Sequence, residues 1–269
     1  MNQSIIIFII IVIIAILLCT INHEDFNFYY DDAKYYTYSY FNKDFLINNN
    51  MLDKPSDKKN KIAIVSFENR KDIEFINLHN QNVLEYCKKW NYEYLFYDKC
   101  IHNIYWCKMY FILDALKTGK YDYVMWLDSD TIIKNPNISL DTIVNKYSSD
   151  IFVNVDEGAS AFCAGVFIIK NSKIGIEYIE NCIKLNNNKC LKKESIKLKG
   201  LWAGLCYEQG AMNQLIFEKY YPYTTCLPKY YIFNGYIDDT LEMCNSDGFI
   251  LHLYASPNEL RAKCFSRFV

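Results

Sequence analysis

The order of apolar and polar positions predicts alternating strands and helices from about residue 61 onward. Short apolar runs at 61–66, 94–97 and 123–127 are typical of buried strands. Between them, apolar residues recur every three or four positions over 75–90 and 106–116, which predicts two amphipathic helices. Strand, helix, strand, helix, strand in this order indicates an α/β fold with a mostly parallel central sheet.

The second half of the chain carries similar signals. We predict further strands at 151–155, 162–169 and 249–253, and further helices at 174–185 and 208–219. A length of 269 residues suits one domain with a sizeable core, and we place this domain at 61–269.

The longest apolar run lies at the start of the chain, from Ile5 to Ile21, and contains no charged residue. As a helix rising about 1.5 Å per residue it would reach roughly 25 Å, enough for a thin bilayer. A basic segment before the run and a small-x-small cleavage pattern after it are both missing, so we expect a transmembrane signal anchor over 1–22 and not a cleaved signal peptide. Residues 23–60 are then a stem. The short tail before the apolar run favours a type II protein, with the domain in the lumen of the Golgi or ER.

Charge and cysteine content narrow the choice of partners and compartment. The formal net charge is −2 and the pI about 6.1, so a nucleic acid is not an expected partner. Ten of the eleven cysteines lie between Cys87 and Cys264, an even number compatible with lumenal disulfides whose pairing the sequence does not reveal. No Cys-x-x-Cys pair occurs, which argues against a zinc ribbon or a thioredoxin-type site.

The acidic triplet Asp128-Ser129-Asp130 follows the predicted strand 123–127 directly. Parallel sheets collect ligands beyond the carboxyl ends of their strands, which is where this triplet would lie. Asp-x-Asp is a common triplet, but two acids that abut a core strand are costly unless they are paired or bound to a metal. Carboxylate oxygens suit Mn²⁺ or Mg²⁺, which in turn suits an enzyme that releases a nucleoside diphosphate.

Two other interpretations remain open from the residues alone. Leu127-Asp128-Ser129-Asp130-Thr131 also fits haloacid-dehalogenase-like phosphatases, in which Asp128 would be the nucleophile and Asp238-Asp239 the late acidic pair. In those enzymes the motif usually sits on the first strand, whereas two predicted strands precede it here. A non-catalytic, membrane-tethered carbohydrate-binding protein would also use a chain with 24 tyrosines.

Six segments, in their order along the chain, resemble glycosyltransferase family 34, the galactosyl-, mannosyl- and xylosyltransferases of GT-A fold. The segments are 82–87 with Tyr92, 106–108, 126–130, 164–171, 208–211 and 252–253. The triplet alone is unspecific, but its order with the Ala-Gly-x-Phe segment, the Glu-Gln pair and the late histidine is more specific.

The resemblance implies a metal-dependent retaining glycosyltransferase. It would move a hexose or pentose from a UDP- or GDP-sugar to a glycan or protein-linked acceptor. The implied metal ligands are Asp128, Asp130 and His252, and the implied metal is Mn²⁺ or Mg²⁺. The residues implied in binding the nucleotide sugar are Lys108, Asp128, Ser129, Asp130 and Gly165.

Glu208 and Gln209 match an acidic-Gln pair that the family places beside the anomeric carbon of the sugar, where both side chains would stabilise a developing oxocarbenium ion. The chain departs from the family at two places. Glu208 replaces a more usual Asp, and Tyr254-Ala255-Ser256 stands where many relatives have a Lys for the diphosphate. Arg261 or Lys263 is the candidate substitute for that Lys.

Overall fold

The computed structural model describes residues 51–52, 54, 56–155, 161–187, 190, 198, 201 and 203–269. The predicted anchor at 1–22 and most of the predicted stem at 23–60 lie outside these residues. In the part of the chain that is described, none of the helices combines the length and the apolar character needed to cross a membrane.

The main-chain elements follow the predicted alternation. The strands are β1 (Ile62–Phe67), β2 (Glu93–Tyr97), β3 (Tyr123–Leu127), β4 (Thr131–Ile133), β5 (Ile151–Val155), β6 (Phe162–Lys170), β7 (Thr224–Leu227), β8 (Ile232–Gly235) and β9 (Ile250–Leu253). The α-helices are α1 (Glu74–Trp90), α2 (Cys107–Lys117), α3 (Leu140–Val144), α4 (Lys173–Lys184), α5 (Glu208–Leu215) and α6 (Asn258–Phe265).

A six-stranded sheet in the order β2-β1-β3-β6-β5-β7 forms the centre of the domain. Five strands point the same way, and β6 runs antiparallel between β3 and β5. The predicted mixed α/β fold with a mostly parallel sheet is therefore confirmed. The reversed direction of β6 was not predicted, because a strand buried on both faces is a continuous apolar run in either direction.

The apolar runs of β1 and β3 follow from burial on both faces. In β1, Ile62 and Ile64 pack into one core layer, while Ala63 and Val65 pack into the other. Helices α1 and α3 contribute to the first layer, and α2, α4 and α5 contribute to the second. Successive side chains of a strand point to opposite faces, so both alternating sets must be apolar. Strand β3, buried along its whole length, ends at Leu127, directly before the acidic triplet.

A second, three-stranded sheet in the order β4-β9-β8 lies next to the triplet along the chain. Strand β4 pairs antiparallel with β9, so Thr131 lies opposite His252. Strand β8 pairs parallel with β9, so Asn234 lies opposite His252 as well. The predicted late strand is confirmed at 250–253. Strand β4 has only three residues, and β8 ends in Asn234-Gly235, so neither forms an apolar run as long as the one at 249–251.

Other predicted boundaries change in detail. The helix predicted at 208–219 is α5, which continues into a π-helix at Ile216–Tyr220. The end of the predicted stem packs on the domain: Met51 forms a β-bridge with Tyr147, and the main-chain N–H of Asn60 donates to Asp141 Oδ1 at 2.7 Å.

Among the residues that the structure describes, six cysteines form disulfides, with the pairs Cys100–Cys107, Cys190–Cys206 and Cys244–Cys264. The free cysteines among the described residues are all buried, namely Cys87, Cys163, Cys182 and Cys226.

Candidate active site

The acidic triplet forms a tight turn between β3 and β4. The N–H of Asp128 donates to Gly165 O at 2.8 Å, which ties the turn to β6. The hydroxyl and the N–H of Thr131 donate to Asp128 O at 2.7 and 3.1 Å and close the turn. The buried Trp126 indole also donates to Asp128 Oδ1 at 2.6 Å. The Asp128 carboxylate is thus held at the end of the central sheet.

Asp128, Asp130 and His252 converge on one point. Each offers a ligand atom, and these atoms all lie within 4.8 Å of one another. The contact between His252 Nε2 and Asp130 Oδ1 is 3.2 Å and follows from the pairing of β4 with β9. Two carboxylate oxygens and one imidazole nitrogen are a donor set that suits Mn²⁺ or Mg²⁺. The residues present therefore fit the implied divalent ion.

The charges at this point compensate one another. Burial would raise the pKa of Asp130, but the neighbouring His252 and Arg261 hold it well below its usual range. Burial would lower the pKa of His252, but Cys163 and Asp130 outweigh this and raise it. A bound divalent cation would take the place of a proton on His252 and would itself be the positive partner of the Asp128 and Asp130 carboxylates.

Gly165 lies against the His252 ring. A Cβ added to Gly165 would come within 2.2 Å of His252 Cε1, which is shorter than any real contact. The Ala-Gly-x-Phe segment of β6 therefore needs glycine here so that the imidazole can approach the triplet. Gly165 therefore has a packing role, whereas the resemblance to family 34 implied a role in binding the nucleotide sugar.

Lys108 links the triplet to α5. Its buried Nζ lies 3.0 Å from Asp128 Oδ1, 3.1 Å from Glu208 Oε1 and 3.0 Å from Ala164 O. Burial alone would lower the pKa of Lys108, but the two carboxylates outweigh it and raise the pKa above its ordinary value. Lys108 is therefore a fixed cation between two acidic groups.

Glu208 and Gln209 begin α5 on the far side of Lys108. Glu208 is 6% exposed, and its Oε2 has no hydrogen-bond partner among the described residues. Burial raises the pKa of Glu208, and the Lys108 charge offsets this only in part. Gln209 Oε1 accepts from Ala164 N at 3.0 Å, which ties this side chain to β6. A buried oxygen without a partner is rare in folded proteins and marks this position as a candidate contact for a ligand.

Ser129, the middle residue of the triplet, bonds to Glu68 after β1. Its hydroxyl donates to Glu68 Oε2 at 2.8 Å, and Glu68 also accepts from Arg70 Nε at 2.9 Å. Burial would raise the pKa of Glu68, but its hydrogen bonds to Arg70 and Ser129 lower it. Sequence reasoning missed Glu68, although it follows β1 just as the triplet follows β3.

Arg261 and His79 also lie near the site. The sequence had suggested the first of them as a candidate but not the second. Arg261, one of two candidates for the missing lysine, is 7% exposed, and its Nη2 lies 3.0 Å from Asp130 Oδ2. The other candidate, Lys263, is exposed. His79 was missed: it is buried in α1, with Nδ1 2.8 Å from Thr131 O and Nε2 3.2 Å from Ser66 Oγ. Burial lowers the pKa of His79, so it supports the turn as a neutral ring.

The late acidic pair of the phosphatase interpretation has different surroundings from the acidic triplet. Asp238 and Asp239 are exposed in a turn after β8, and Asp238 Oδ1 accepts from the Thr240 N–H at 3.0 Å. Asp128 is instead bonded to Lys108 and Trp126. The arrangement does not favour Asp128 as a nucleophile.

Residues 56–146 match the sequence model of the galactosyl transferase GMA12/MNN10 family. This segment runs from just before β1 to just after α3 and includes the acidic triplet. No curated protein matches the sequence significantly.

Solved structures are also similar to this chain. One is a glycosyltransferase involved in the glycosylation of the major capsid of PBCV-1, with a TM-score of 0.58 and 17% identity over 77% of this chain and 99% of that one. Another is the apo-form glycosyltransferase GlyE of Streptococcus pneumoniae TIGR4, with a TM-score of 0.49 and 18% identity over 78% of this chain and 60% of that one. The first of these shares the fold of the chain.

Proposed function

We infer that this chain, a glycosyltransferase whose residues 56–146 match the galactosyl transferase GMA12/MNN10 family, is a metal-dependent retaining enzyme of GT-A type. It transfers a hexose or pentose from a UDP- or GDP-sugar to a glycan or protein-linked acceptor. The observation that carries the proposal is the convergence of Asp128, Asp130 and His252 within 4.8 Å, with Glu208 joined to them through Lys108.

The donor diphosphate belongs beside the triplet. Asp128, Asp130 and His252 would hold Mn²⁺ or Mg²⁺, which when bound supplies positive charge to the leaving nucleoside diphosphate. Asp128 Oδ1 already accepts from Trp126 and Lys108, whereas Oδ2 has only a longer contact with Lys108 at 3.4 Å, so Oδ2 would have more capacity left for the ion. The guanidinium of Arg261 adjoins Asp130 and adds a second positive charge that the diphosphate can use.

The donor sugar belongs beside α5. Glu208 Oε2, which lacks a partner among the described residues, would accept a hydroxyl of the sugar or face its developing positive charge. Lys108 keeps Glu208 next to the triplet, so sugar and diphosphate are held by neighbouring groups. Gln209, fixed by Ala164 N, would orient the donor from the same side.

A donor screen tests the proposal directly. We expect one UDP- or GDP-sugar to release its nucleoside diphosphate in a Mn²⁺-dependent manner, and NMR of the product to show the anomeric configuration of the donor. Release of phosphate from a simple phosphate ester would instead support the phosphatase interpretation. Binding of glycans with neither reaction would contradict catalysis altogether, and an inverted product would contradict retention alone.

Replacing Gln209 separates the sugar from the nucleotide. We expect Gln209→Ala to lower kcat about 100-fold, because it removes one polar group that acts on the reacting sugar. The affinity for the nucleoside diphosphate, measured by calorimetry with Mn²⁺, should stay close to that of the unchanged protein. Gln214→Ala is the matched control, since Gln214 lies on the same helix but bonds Glu218 at the surface. Loss of nucleotide binding in Gln209→Ala would move this residue to the diphosphate.

We further propose that residues 1–22 anchor the protein in the membrane, with the catalytic domain at 61–269 in the lumen of the Golgi or ER. The uncharged run supports the anchor, and three disulfides in the described part support an oxidising compartment. Full-length protein should stay in the pellet after alkaline carbonate, while a fragment that begins at Asn60 should be soluble. A mature chain that starts near His23 would contradict the anchor.

A further inference from the structure

We propose that Asn234 and Asn154 are positioning residues that orient the His252 imidazole toward its metal, an inference that rests on the proposed function. His252 Nδ1 lies 2.9 Å from Asn234 Oδ1, on the side of the ring away from Asp130. The Asn234 amide is in turn bonded to Asn154 Oδ1. Asn154 is 1% exposed and His252 4%, and Asn234 between them is half-buried.

Main-chain carbonyls fix the direction of every hydrogen bond in this chain of amides. Asn154 Nδ2 donates to Val166 O at 2.5 Å, and Asn234 Nδ2 donates to Val155 O at 2.7 Å. A carbonyl oxygen only accepts, so both amide nitrogens must lie on these sides. The oxygen of Asn234 is then left to face His252, and it too only accepts. Nδ1 of His252 therefore carries a hydrogen, and Nε2 is the nitrogen available to a metal.

Cys163 is the other polar neighbour of this ring nitrogen. Its Sγ lies 3.5 Å from His252 Nδ1. A thiol is a weak acceptor compared with an amide oxygen, so Asn234 is the principal partner. Cys163 Sγ also accepts from the Gly165 N–H at 3.4 Å, which gives the sulfur a separate structural use in β6.

The two asparagines also join the two sheets. Asn154 belongs to β5 in the central sheet, whereas Asn234 and His252 belong to β8 and β9 in the small sheet. Asn154 sits at a register shift between β5 and β6, the kind of irregularity that re-aims a side chain next to an active site. The carboxylates follow β3 of the central sheet, so these amides set His252 in place relative to them. Metal-binding histidines commonly need such a partner on their second nitrogen.

Mn²⁺ titration of the purified protein, with free ion counted by EPR, tests this role without any turnover. We expect Asn234→Ala to weaken Mn²⁺ binding about 10- to 100-fold, because the ring loses its fixed orientation. Asn154→Ala should weaken it less. The double variant should bind Mn²⁺ no more weakly than Asn234→Ala, since both amides act through one hydrogen bond.

Asn82→Ala is the matched control for burial and hydrogen bonding. Asn82 is a 7% exposed amide in α1 that donates to Phe268 O and to Ile133 O, at the last residue of β4. We expect this variant to lower the melting temperature while it leaves the Mn²⁺ affinity unchanged. An equal loss of Mn²⁺ affinity in Asn82→Ala would overturn the positioning role, because any buried amide would then suffice.

The protonation state of the His252 imidazole provides a measurement that does not depend on the stability of the protein. In the Mg²⁺-loaded protein, ¹⁵N NMR should show His252 protonated on Nδ1, with its signal assigned among the four histidines by its loss in His252→Gln. This measurement needs no asparagine variant, so it decides the matter even if Asn234→Ala fails to fold. A proton on Nε2, or wild-type Mn²⁺ affinity in a folded Asn234→Ala, would overturn the inference. If the unchanged protein binds no Mn²⁺, the metal site of the proposed function fails and this inference fails with it.

Discussion

Asp130→Ala and His252→Ala should each weaken Mn²⁺-dependent binding of the donor by more than about 100-fold. Loss of a metal ligand should weaken binding more than loss of a hydrogen bond that only orients such a ligand. The reason is geometric: Asp130 Oδ1 and His252 Nε2 lie 3.2 Å apart and belong to the same three-residue set. Calorimetry with the donor, with and without Mn²⁺, measures the effect.

The control and the contrary result are both well defined. Asp114→Ala removes an exposed acid from α2 and should leave donor binding unchanged. Circular dichroism should show that both site variants remain folded, because neither Asp130 nor His252 belongs to one of the apolar core clusters. Mn²⁺-dependent binding that survives in a folded His252→Ala protein would remove His252 from the metal site.

Lys108→Met should abolish turnover and cost about 3–5 kcal/mol of stability, because it leaves a buried carboxylate without its cation. Glu208 is the residue most affected, since it is buried and Lys108 lies 3.1 Å from its Oε1. Urea unfolding gives the free energy of unfolding, and the donor assay gives the activity.

A second substitution separates the structural role of Lys108 from its chemical one. The variant Lys108→Met with Glu208→Gln removes both charges of the pair and should recover much of the lost stability without recovering activity. Lys117→Met, which breaks a surface pair with Glu180, should change stability by less than about 1 kcal/mol. If Lys108→Met alone remained as stable as the unchanged protein, the buried pair would not be what holds α5 to the triplet.

The strands that position the site could be predicted from the sequence because both faces of the central sheet are covered. Burial on both faces makes β1 and β3 continuous apolar runs. The end of the run at 123–127, where the acidic triplet begins, could therefore be recognised in the sequence. The resemblance to family 34 added His252, which sequence order alone does not connect to the triplet. The structure brings it there through the pairing of β4 with β9.

Other parts of the site left no local signal. Strands β4 and β8 form no apolar run as long as the one at 249–251, and Asn234 and Asn154 are ordinary amides in the sequence. Their importance comes from hydrogen bonds between residues about 80 positions apart, which no window of sequence contains. Arg261 was recognised only as an alternative, since its contact with Asp130 depends on where α6 packs.

The small sheet also sets when the site can exist during synthesis of the chain. Strand β3 and the triplet leave the ribosome early, whereas Arg261, which contacts Asp130, follows 131 residues later. All of β1 to β3 has therefore been synthesised while the triplet still lacks its histidine and its arginine. A polypeptide that ends just before β9 therefore contains the whole family-matched segment at 56–146 and no complete metal site.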